Sequence, residues 1–269
     1  MTLNASTLTN EDLDVTISDD GVVARATIDR PEKRNALNDR VLDGLIDLMN
    51  AVDDSPVKVV VIRGAGGTFC SGGDLEGMDE TEDPPMEERR RSASKLSELF
   101  GPMVETSALT VAAVEGYCLA GGMGLAAGCE FVVAADDATF GTPEVNVGMF
   151  PMQAMASIMP ATLEKKGLKM LFTGEMLDAS EAEEIGLVTD IYDADSFDEE
   201  LDEFVDTLAG NSPVMISMGK EAYYNQRDMD FDSSRAYLKE MLVLLMESED
   251  HEEGVAAFVE DRDPEWKSR

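Results

Sequence analysis

The sequence predicts an α/β protein in two parts: a mixed core over residues 1–195 and an all-helical module over residues 196–269. Up to about residue 195, short apolar segments alternate with amphipathic stretches of helical period. From Ser196 onward, only helical patterns occur. Alternating strands and helices followed by helices alone are typical of an α/β core that carries a helical appendage.

Strands are expected where β-branched or apolar runs are bounded by turn residues. These runs lie at residues 15–17, 22–28, 57–62, 111–114, 131–133 and 187–191. The first two are joined by Asp19–Gly21, and an Asp-Gly pair between apolar runs is a hairpin signal. The run Val57–Ile62 is almost wholly apolar, as expected of a strand that is buried on both faces.

Helices are expected where apolar residues recur at helical spacing between capping residues. Before residue 195 they lie at about 38–52, 89–100, 151–159, 161–173 and 181–186, with a small-residue helix that begins at Gly121 and Gly122. Beyond it they lie at about 197–209, 213–227, 232–248 and 251–259. Asn38 or Asp39 is expected to cap the first helix. Gly174 is expected to end the helix at 161–173, and Ser180 to cap the helix that follows.

The composition is strongly acidic. Asp and Glu number 56 and Lys and Arg 21, which gives a formal net charge of −35. The acidic residues are spread along the chain, and the hydrophobic content of 43% excludes a disordered solvating chain. This charge disfavours nucleic-acid binding, which depends on cations at the phosphates. We interpret it as an adaptation to high salt, where the Debye length falls to about 3 Å and self-repulsion is screened.

The cysteines and the histidine exclude several kinds of site. Cys70, Cys118 and Cys129 form no CxxC pair, so we expect buried free thiols in a reducing cytoplasm. His251 is the only histidine, and this count excludes a multi-histidine metal site. The residue is expected to face solvent on a helix. No signal peptide is recognised, and the apolar stretch inside Thr110–Gly148 is too short for a membrane span of about 20 residues. No metal, cofactor or membrane partner is therefore expected.

The stretch Thr110–Gly148 carries the strongest functional signal. It contains no charge between Glu115 and Glu130, although the chain is acidic, so we expect it to be buried. A glycine-rich turn within it is followed by a strand and then by a lone carboxylate, Glu144. A second glycine-rich segment, Gly64–Leu75, has five glycines in twelve residues and cannot be a regular element.

Two interpretations of these glycines fit the spacing poorly. A dinucleotide fingerprint requires G-x-G-x-x-G directly after a strand, whereas four residues separate Gly116 from the next glycine. A nucleophilic serine is expected in G-x-S-x-G, whereas Ser71 follows Cys70 and has no neighbouring base. Both residues are expected to pack inside a tight glycine loop.

A third interpretation combines two glycine backbones with one carboxylate. Main-chain N–H groups from two separate loops can form an oxyanion hole. Gly121 and Gly122 begin a helix whose dipole would strengthen such a donor. Gly72 and Gly73 could supply the other donor. Glu144, among apolar neighbours, is expected to have a raised pKa and to suit general acid–base work. The alternative is a hydrogen-bonded structural glutamate beside two tight turns.

Four segments at matching spacing resemble the crotonase, or enoyl-CoA hydratase/isomerase, superfamily. They are Arg30–Leu37 (RPEKRNAL), Phe69–Leu75 (FCSGGDL), Val114–Gly122 (VEGYCLAGG) and Phe140–Glu144 (FGTPE). Phe258–Pro264 resembles the family's closing segment, so the resemblance spans about residues 13–265. It implies a spiral of ββα units with a C-terminal helical module that forms trimers, often paired into hexamers.

The resemblance also implies an acyl-CoA substrate, in which coenzyme A belongs to the substrate. The thioester oxygen would bind the N–H groups of Gly73 and Gly121, and Glu144 would be the base. The residues implied along CoA and the acyl group are Arg30, Lys33, Arg34, Ala36, Ser71, Gly72, Asp74, Leu75, Gly122 and Phe150. Met149, Met152 and Met155 could join Phe150 in an apolar tail pocket, although a Met-rich helix is also typical of a core.

The chain departs from the family pattern at two places. Hydratases of the family carry a second glutamate, which would fall at position 124, where this chain has Gly124. A double-bond isomerase needs only one carboxylate, so we expect a shift of the double bond in an enoyl-CoA. Hydration of a 2-enoyl-CoA by Glu144 alone, as in fatty acid β-oxidation, and a non-catalytic CoA-thioester-binding or assembly subunit are the alternatives. In the closing segment, Asp261 and Asp263 replace the lysines expected near the CoA phosphates, which leaves Arg262.

Overall fold

The computed structural model describes residues 3–74 and 85–267. The strands are β1 Leu13–Ile17, β2 Val23–Ile28, β3 Val59–Gly64, β4 Leu109–Val114, β5 Tyr117–Leu119, β6 Phe131–Ala135, β7 Thr139–Gly141, β8 Met176–Asp178 and β9 Asp190–Tyr192. The order β1-β2-β3-β4-β6-β9 forms one sheet, in which β1 pairs antiparallel with β2 and the other neighbours are parallel. A smaller sheet has the order β5-β7-β8. The predicted mixed α/β core is confirmed.

The helices are α1 Ala5–Leu8, α2 Asp39–Val52, α3 Met86–Glu105, α4 Gly121–Ala127, α5 Met155–Ala161, α6 Glu164–Thr173, α7 Ala179–Glu184, α8 Phe197–Ala209, α9 Pro213–Gln226, α10 Phe231–Met246 and α11 Glu249–Glu260. Short 3₁₀ helices occupy Pro31–Lys33 and Pro143–Val147. The four predicted C-terminal helices are therefore present. The division of the chain into two parts at residue 195 stays a prediction. Helix α8, which belongs to the predicted helical part, packs directly on the larger sheet.

The capping predictions were right at two helices and wrong at a third. The Asn38 side chain accepts from the amide of Val41 at 3.0 Å and caps α2. Gly174 ends α6 in the left-handed conformation. Helix α7, however, is capped by Asp178 rather than Ser180. The Asp178 carboxylate accepts from the amide of Glu181, whose side chain accepts from Asp178 in return, so both ends of a capping box are filled.

The central strands are buried on both faces because helices cover both sides of the larger sheet. Side chains alternate along a strand. Val60 and Ile62 of β3 therefore join the core beneath α2 and α4, whereas Val59 and Val61 pack with α8. The double burial predicted for this strand is confirmed, and it fixes β3 and β4 so that their following loops have defined positions.

The predictions for the three cysteines and for the histidine are also confirmed. The three cysteines are buried free thiols. His251 is exposed on α11. Within the part of the chain that the structure describes, no helix is both long and apolar enough to span a membrane.

Candidate active site

The site is set by three extended segments that run side by side. Strand β5 pairs in parallel with β7, and a parallel bridge joins Cys70 to Cys118 of β5. Parallel neighbours end at the same edge, so the residues that follow them come together. Gly73, Gly121 and Glu144 each follow one of these segments within a few residues. The order of the strands therefore gathers the three residues predicted to be catalytic.

Gly73 and Gly121 lie next to each other and carry unused donors. A Cβ placed on Gly121 would lie 3.5 Å from the Gly73 amide nitrogen. Among the described residues, neither amide donates a hydrogen bond to a protein acceptor. Gly121 is the first residue of α4, where the partial positive charge of the helix adds to the donor. Two adjacent free N–H groups from separate loops have the form of an oxyanion hole.

The backbone that positions this pair is strained. Ala120 has φ 53° and ψ −124°, a conformation that non-glycine residues rarely adopt. Gly72 has φ +110°, and a Cβ there would lie 2.7 Å from the Ala120 Cβ. The Ala120 amide donates to the carbonyl of Gly141 at 2.8 Å. Strain of this kind costs about 1–3 kcal/mol and persists because the surrounding hydrogen bonds fix the turn from β5 into α4.

Glu144 has the environment of a base. It lies in the 3₁₀ helix that begins at Pro143, directly after β7. Burial raises the pKa of the Glu144 carboxyl, as the sequence predicts. Its Oε2 atom is buried and has no hydrogen-bond partner among the described residues. A carboxylate that burial removes from water binds a proton more tightly than an exposed one, which suits general acid–base chemistry.

These groups face a cavity of about 600 Å³, a size typical of small-molecule sites. Its apolar lining is Leu37, Leu42, Leu96, Met149, Pro151, Met152 and Ala154, beside Gly73 and Gly121. Its polar lining is Asn38, Asp39, Arg40, Asp74, Lys95, Glu144 and Gln153. Met149 and Met152 therefore line the cavity. Phe150 does not, and it packs against Phe172 with ring centroids 4.9 Å apart.

Position 124 has no room for a side chain. A Cβ on Gly124 would lie 2.6 Å from the Cβ and 2.8 Å from the Cα of Ala154. The Ser157 hydroxyl donates to the Gly124 carbonyl at 2.7 Å and ties the same segment to α4. The backbone before α5 therefore occupies the space into which a carboxylate at this position would project.

The loop Arg30–Leu37 is fastened to the glycine segment by its buried polar groups. The fully buried Asn35 donates to the carbonyls of Ala65 and Thr68 and accepts from the Arg30 amide. Arg30 is 8% exposed, and its guanidinium donates to Asp74 at 2.6 Å and to the Ala36 carbonyl. The side chains of Arg30 and Asp74 thus hold each other, and they shape the loop from inside.

The outer part of this loop is more accessible. Arg34 is exposed and Lys33 is half-buried. The Ser71 amide donates to the Arg34 carbonyl at 3.0 Å, and the Gly72 carbonyl accepts from the Leu37 amide at 2.7 Å. Ser71 and Gly72 therefore bind the loop through their backbone. Contact of these residues with CoA stays a prediction.

The remaining residues that the sequence analysis singled out do not share one environment. A Cβ on Gly122 would lie 2.6 Å from the Cys70 carbonyl oxygen, so this glycine permits close packing of two backbones. Leu75 lies outside the described residues. Burial raises the pKa of Cys70 to about 12, so the thiol beside Ser71 is unreactive at neutral pH. In the closing segment, Arg262 pairs with Glu253 at 2.6 Å and with Glu260 at 2.7 Å.

Sequence reasoning did not find the walls supplied by α2 and α3. Asn38, Lys95, Leu96 and Gln153 line the cavity although they are far apart in the chain. None lies in a recognisable motif. Their proximity comes from the packing of α2 against α3 and from the segment before α5.

Comparison with known proteins agrees with this fold. The sequence model of the family described as "Enoyl-CoA hydratase/isomerase" matches residues 19–269. The chain is 31% identical to the 2,3-dehydroadipyl-CoA hydratase of Escherichia coli K12, over 90% of this chain and 94% of that protein. It is also 31% identical to the carnitinyl-CoA dehydratase of Citrobacter koseri, over 93% and 96%.

A solved structure extends the similarity to three dimensions. The enoyl-CoA hydratase of Mycobacterium smegmatis superimposes with a TM-score of 0.90 at 29% identity, and the match covers 96% of this chain and 99% of that one. The fold is that of the crotonases. The chain belongs to the enoyl-CoA hydratase/isomerase family, and it is an enzyme of the class that acts on acyl-CoA thioesters.

Proposed function

We propose that the protein shifts the double bond of an enoyl-CoA by proton transfer. The N–H groups of Gly73 and Gly121 bind the thioester oxygen, and Glu144 carries the proton. The observation that carries this proposal is the packing of Ala154 against Gly124. This packing excludes a second glutamate side chain at position 124. Among the described residues that line the cavity, Glu144 is then the carboxylate with a buried oxygen that has no hydrogen-bond partner.

The reaction divides into two proton transfers on one intermediate. The Glu144 carboxylate takes a proton from C2 of a 3-enoyl thioester, and the electron pair moves onto the thioester oxygen as a dienolate. Glu144 then returns the proton to C4, which leaves the double bond between C2 and C3. Each backbone donor lowers the barrier by about 3 kcal/mol if its N–H bonds the developing oxyanion more strongly than the ground-state carbonyl.

Hydration of a 2-enoyl-CoA is the second candidate. The names of the relatives support it, since they are a hydratase and a dehydratase. Glu144 would then have to orient the water and also handle the proton that is added to the enolate. The third candidate, a subunit that binds CoA thioesters without chemistry, would leave the unpartnered carboxylate without a use.

The test pairs the wild type with Glu144→Gln on 3-enoyl and 2-enoyl thioesters of one chain length. We expect the wild type to convert the 3-enoyl into the 2-enoyl compound, and the variant to lose a factor of about 10²–10⁴ in kcat while it still binds acyl-CoA. An unchanged rate in Glu144→Gln would contradict the mechanism. Hydration without isomerisation would favour the second candidate, and binding without either reaction the third.

The oxyanion pair is tested separately by Gly121→Ala. The added Cβ would lie 3.5 Å from the Gly73 nitrogen and 3.5 Å from the Leu96 Cδ2, so it fits sterically but covers the neighbouring donor. We expect kcat/KM to fall by about 10²–10³ with little change in stability. Gly101→Ala is the matched control, because a Cβ at Gly101 would contact nothing within 4 Å. Equal activities in the two variants would rule out the oxyanion role.

We also propose a cytoplasmic homotrimer, or a dimer of trimers. The C-terminal helices expose large apolar side chains, among them Phe231 at 80%, Leu242 at 56% and Phe258 at 88%. Faces of this kind are typical of surfaces buried between subunits. Light scattering behind a sizing column would give the mass, and a monomer at micromolar concentration would contradict the assembly.

A further inference from the structure

Gln153 is held with its amide in one orientation. Its Oε1 atom accepts a hydrogen bond from the backbone amide of Ser97 in α3 at 3.0 Å. A backbone N–H can only donate, so the oxygen of the side-chain amide has to face Ser97. The NH₂ group consequently occupies the other branch of the amide. Among the described residues it donates to no protein acceptor.

This amide belongs to the wall of the cavity that contains Glu144. It comes from the segment that packs on Gly124 through Ala154, and its bond to Ser97 joins that segment to α3. A side-chain amide whose oxygen is already hydrogen-bonded and whose NH₂ group is unused is preorganised for a ligand, since little side-chain entropy remains to be lost on binding.

The charges around the cavity limit what this donor can bind. The basic side chains of the described lining, Arg40 and Lys95, are paired with carboxylates, Arg40 with Asp12 at 2.9 Å and Lys95 with Asp43. Asp39 and Glu144 add negative charge to the same lining. An acyl group that ends in a carboxylate would be repelled here, whereas a neutral oxygen would accept from the amide without an electrostatic penalty.

We propose that Gln153 is a specificity-determining residue that donates a hydrogen bond from Nε2 to a hydroxyl or carbonyl oxygen on the acyl chain. The preferred substrates are then oxygenated acyl-CoA thioesters rather than simple hydrocarbon ones. This inference rests on the proposed function only in that the cavity binds the acyl group of an acyl-CoA.

The test measures binding with saturated thioesters, which can neither isomerise nor add water. The series is hexanoyl-CoA, its 4-, 5- and 6-hydroxy derivatives, and adipoyl-CoA with a terminal carboxylate, each titrated calorimetrically. We expect at least one hydroxy derivative to bind the wild type about three- to tenfold more tightly than hexanoyl-CoA. Adipoyl-CoA should bind no more tightly than hexanoyl-CoA.

Two variants separate the hydrogen bond that Nε2 would donate to the ligand from the one that Oε1 accepts from Ser97. Gln153→Glu keeps an oxygen for the Ser97 amide and removes the donor, whereas Gln153→Leu removes both. We expect the preference for the hydroxy derivative to disappear in both variants. Gln226→Leu is the control, because Gln226 lies on α9 and accepts from Ser234 outside the cavity; it should keep the preference.

Three results would overturn the inference: no preference in the wild type, a preference that survives in both Gln153 variants, or tightest binding of adipoyl-CoA. If no member of the series binds at all, the acyl-CoA assignment fails together with the inference. Tight binding of a hydroxy derivative by an enzyme whose Glu144→Gln variant stays fully active would refute the proposed mechanism and leave the role of Gln153 standing.

Discussion

Substitution of Gly124 by alanine sets two known effects against each other. Alanine is favoured over glycine inside a helix by about 1 kcal/mol, and Gly124 lies inside α4. The new Cβ, however, would lie 2.6 Å from the Ala154 Cβ, whereas carbon atoms in contact are separated by about 3.5–4.0 Å. Moving a packed backbone by about 1 Å costs roughly 1–3 kcal/mol. We therefore expect Gly124→Ala to be neutral or to lower the free energy of unfolding by up to about 2 kcal/mol.

Urea denaturation of a double-mutant cycle checks this reasoning. Ala154→Gly removes the closer contact but leaves the Cα at 2.8 Å, so it should restore only part of the stability lost in Gly124→Ala. The coupling between the two sites should be about 1 kcal/mol. Gly101→Ala, in the interior of α3 with open space around it, should show the bare helical gain. If Gly124→Ala is stabilised as much as Gly101→Ala, Ala154 does not fill this space, and the argument against a second carboxylate fails.

The remaining predictions concern pH, two buried side chains and salt. Because burial raises the pKa of Glu144, kcat/KM should fall with decreasing pH around a midpoint above the ordinary glutamate range, and a midpoint within that range would contradict the burial. The native state also binds this proton more tightly than the unfolded chain does. Ionisation of Glu144 therefore lowers the free energy of unfolding as the pH rises through the pKa of the folded state. Asn35→Ala should lower the free energy of unfolding by about 3 kcal/mol, since it leaves the buried Arg30 amide and two partly buried carbonyls unpaired, and a loss under 1 kcal/mol in urea would refute this. Lys220→Met should lower the free energy of unfolding by about 3–5 kcal/mol, because the Glu130 carboxylate, 3.2 Å from the Lys220 ammonium group, loses its ion-pair partner. Adding Glu130→Gln should recover part of the loss. The melting temperature should rise between low and molar KCl, given the charge of −35; equal values would remove the argument for salt adaptation.

The larger sheet and the C-terminal helices follow from local sequence, whereas the smaller sheet does not. Strands β3 and β4 are long apolar runs with a clear signal. Strands β5, β7 and β8 have three residues each, too few to show a period of two. They form because β5 pairs both with the loop segment at Cys70 and with β7, which in turn pairs with β8, and this is a tertiary arrangement. The cap of α7 was readable, since Asp178 and Glu181 have the spacing of a capping box.

The site was partly predictable for a similar reason. Glu144 was predictable because it is the one carboxylate inside an apolar stretch of an acidic chain. Gly121 was predictable because it lies in the glycine-rich turn of the same stretch. The missing glutamate at position 124 was visible in the sequence, but the packing of Ala154 into its place was not. Gln153 and Lys95 gave no signal, since their role depends on the distance between α3 and the segment before α5.

The parallel row of Cys70, Cys118 and Phe140 also constrains how this chain can change over evolutionary time. The groups proposed to react follow that row by three or four residues, and two of them are main-chain amides, which among substitutions only proline removes. A single inserted or deleted residue between the row and its glycines would move an amide or the carboxylate out of register. Point substitutions at the cavity wall, by contrast, can alter which acyl group fits while the backbone donors stay in place. We therefore expect substrate preference to change through substitutions at the cavity wall, while the length of these short segments is retained.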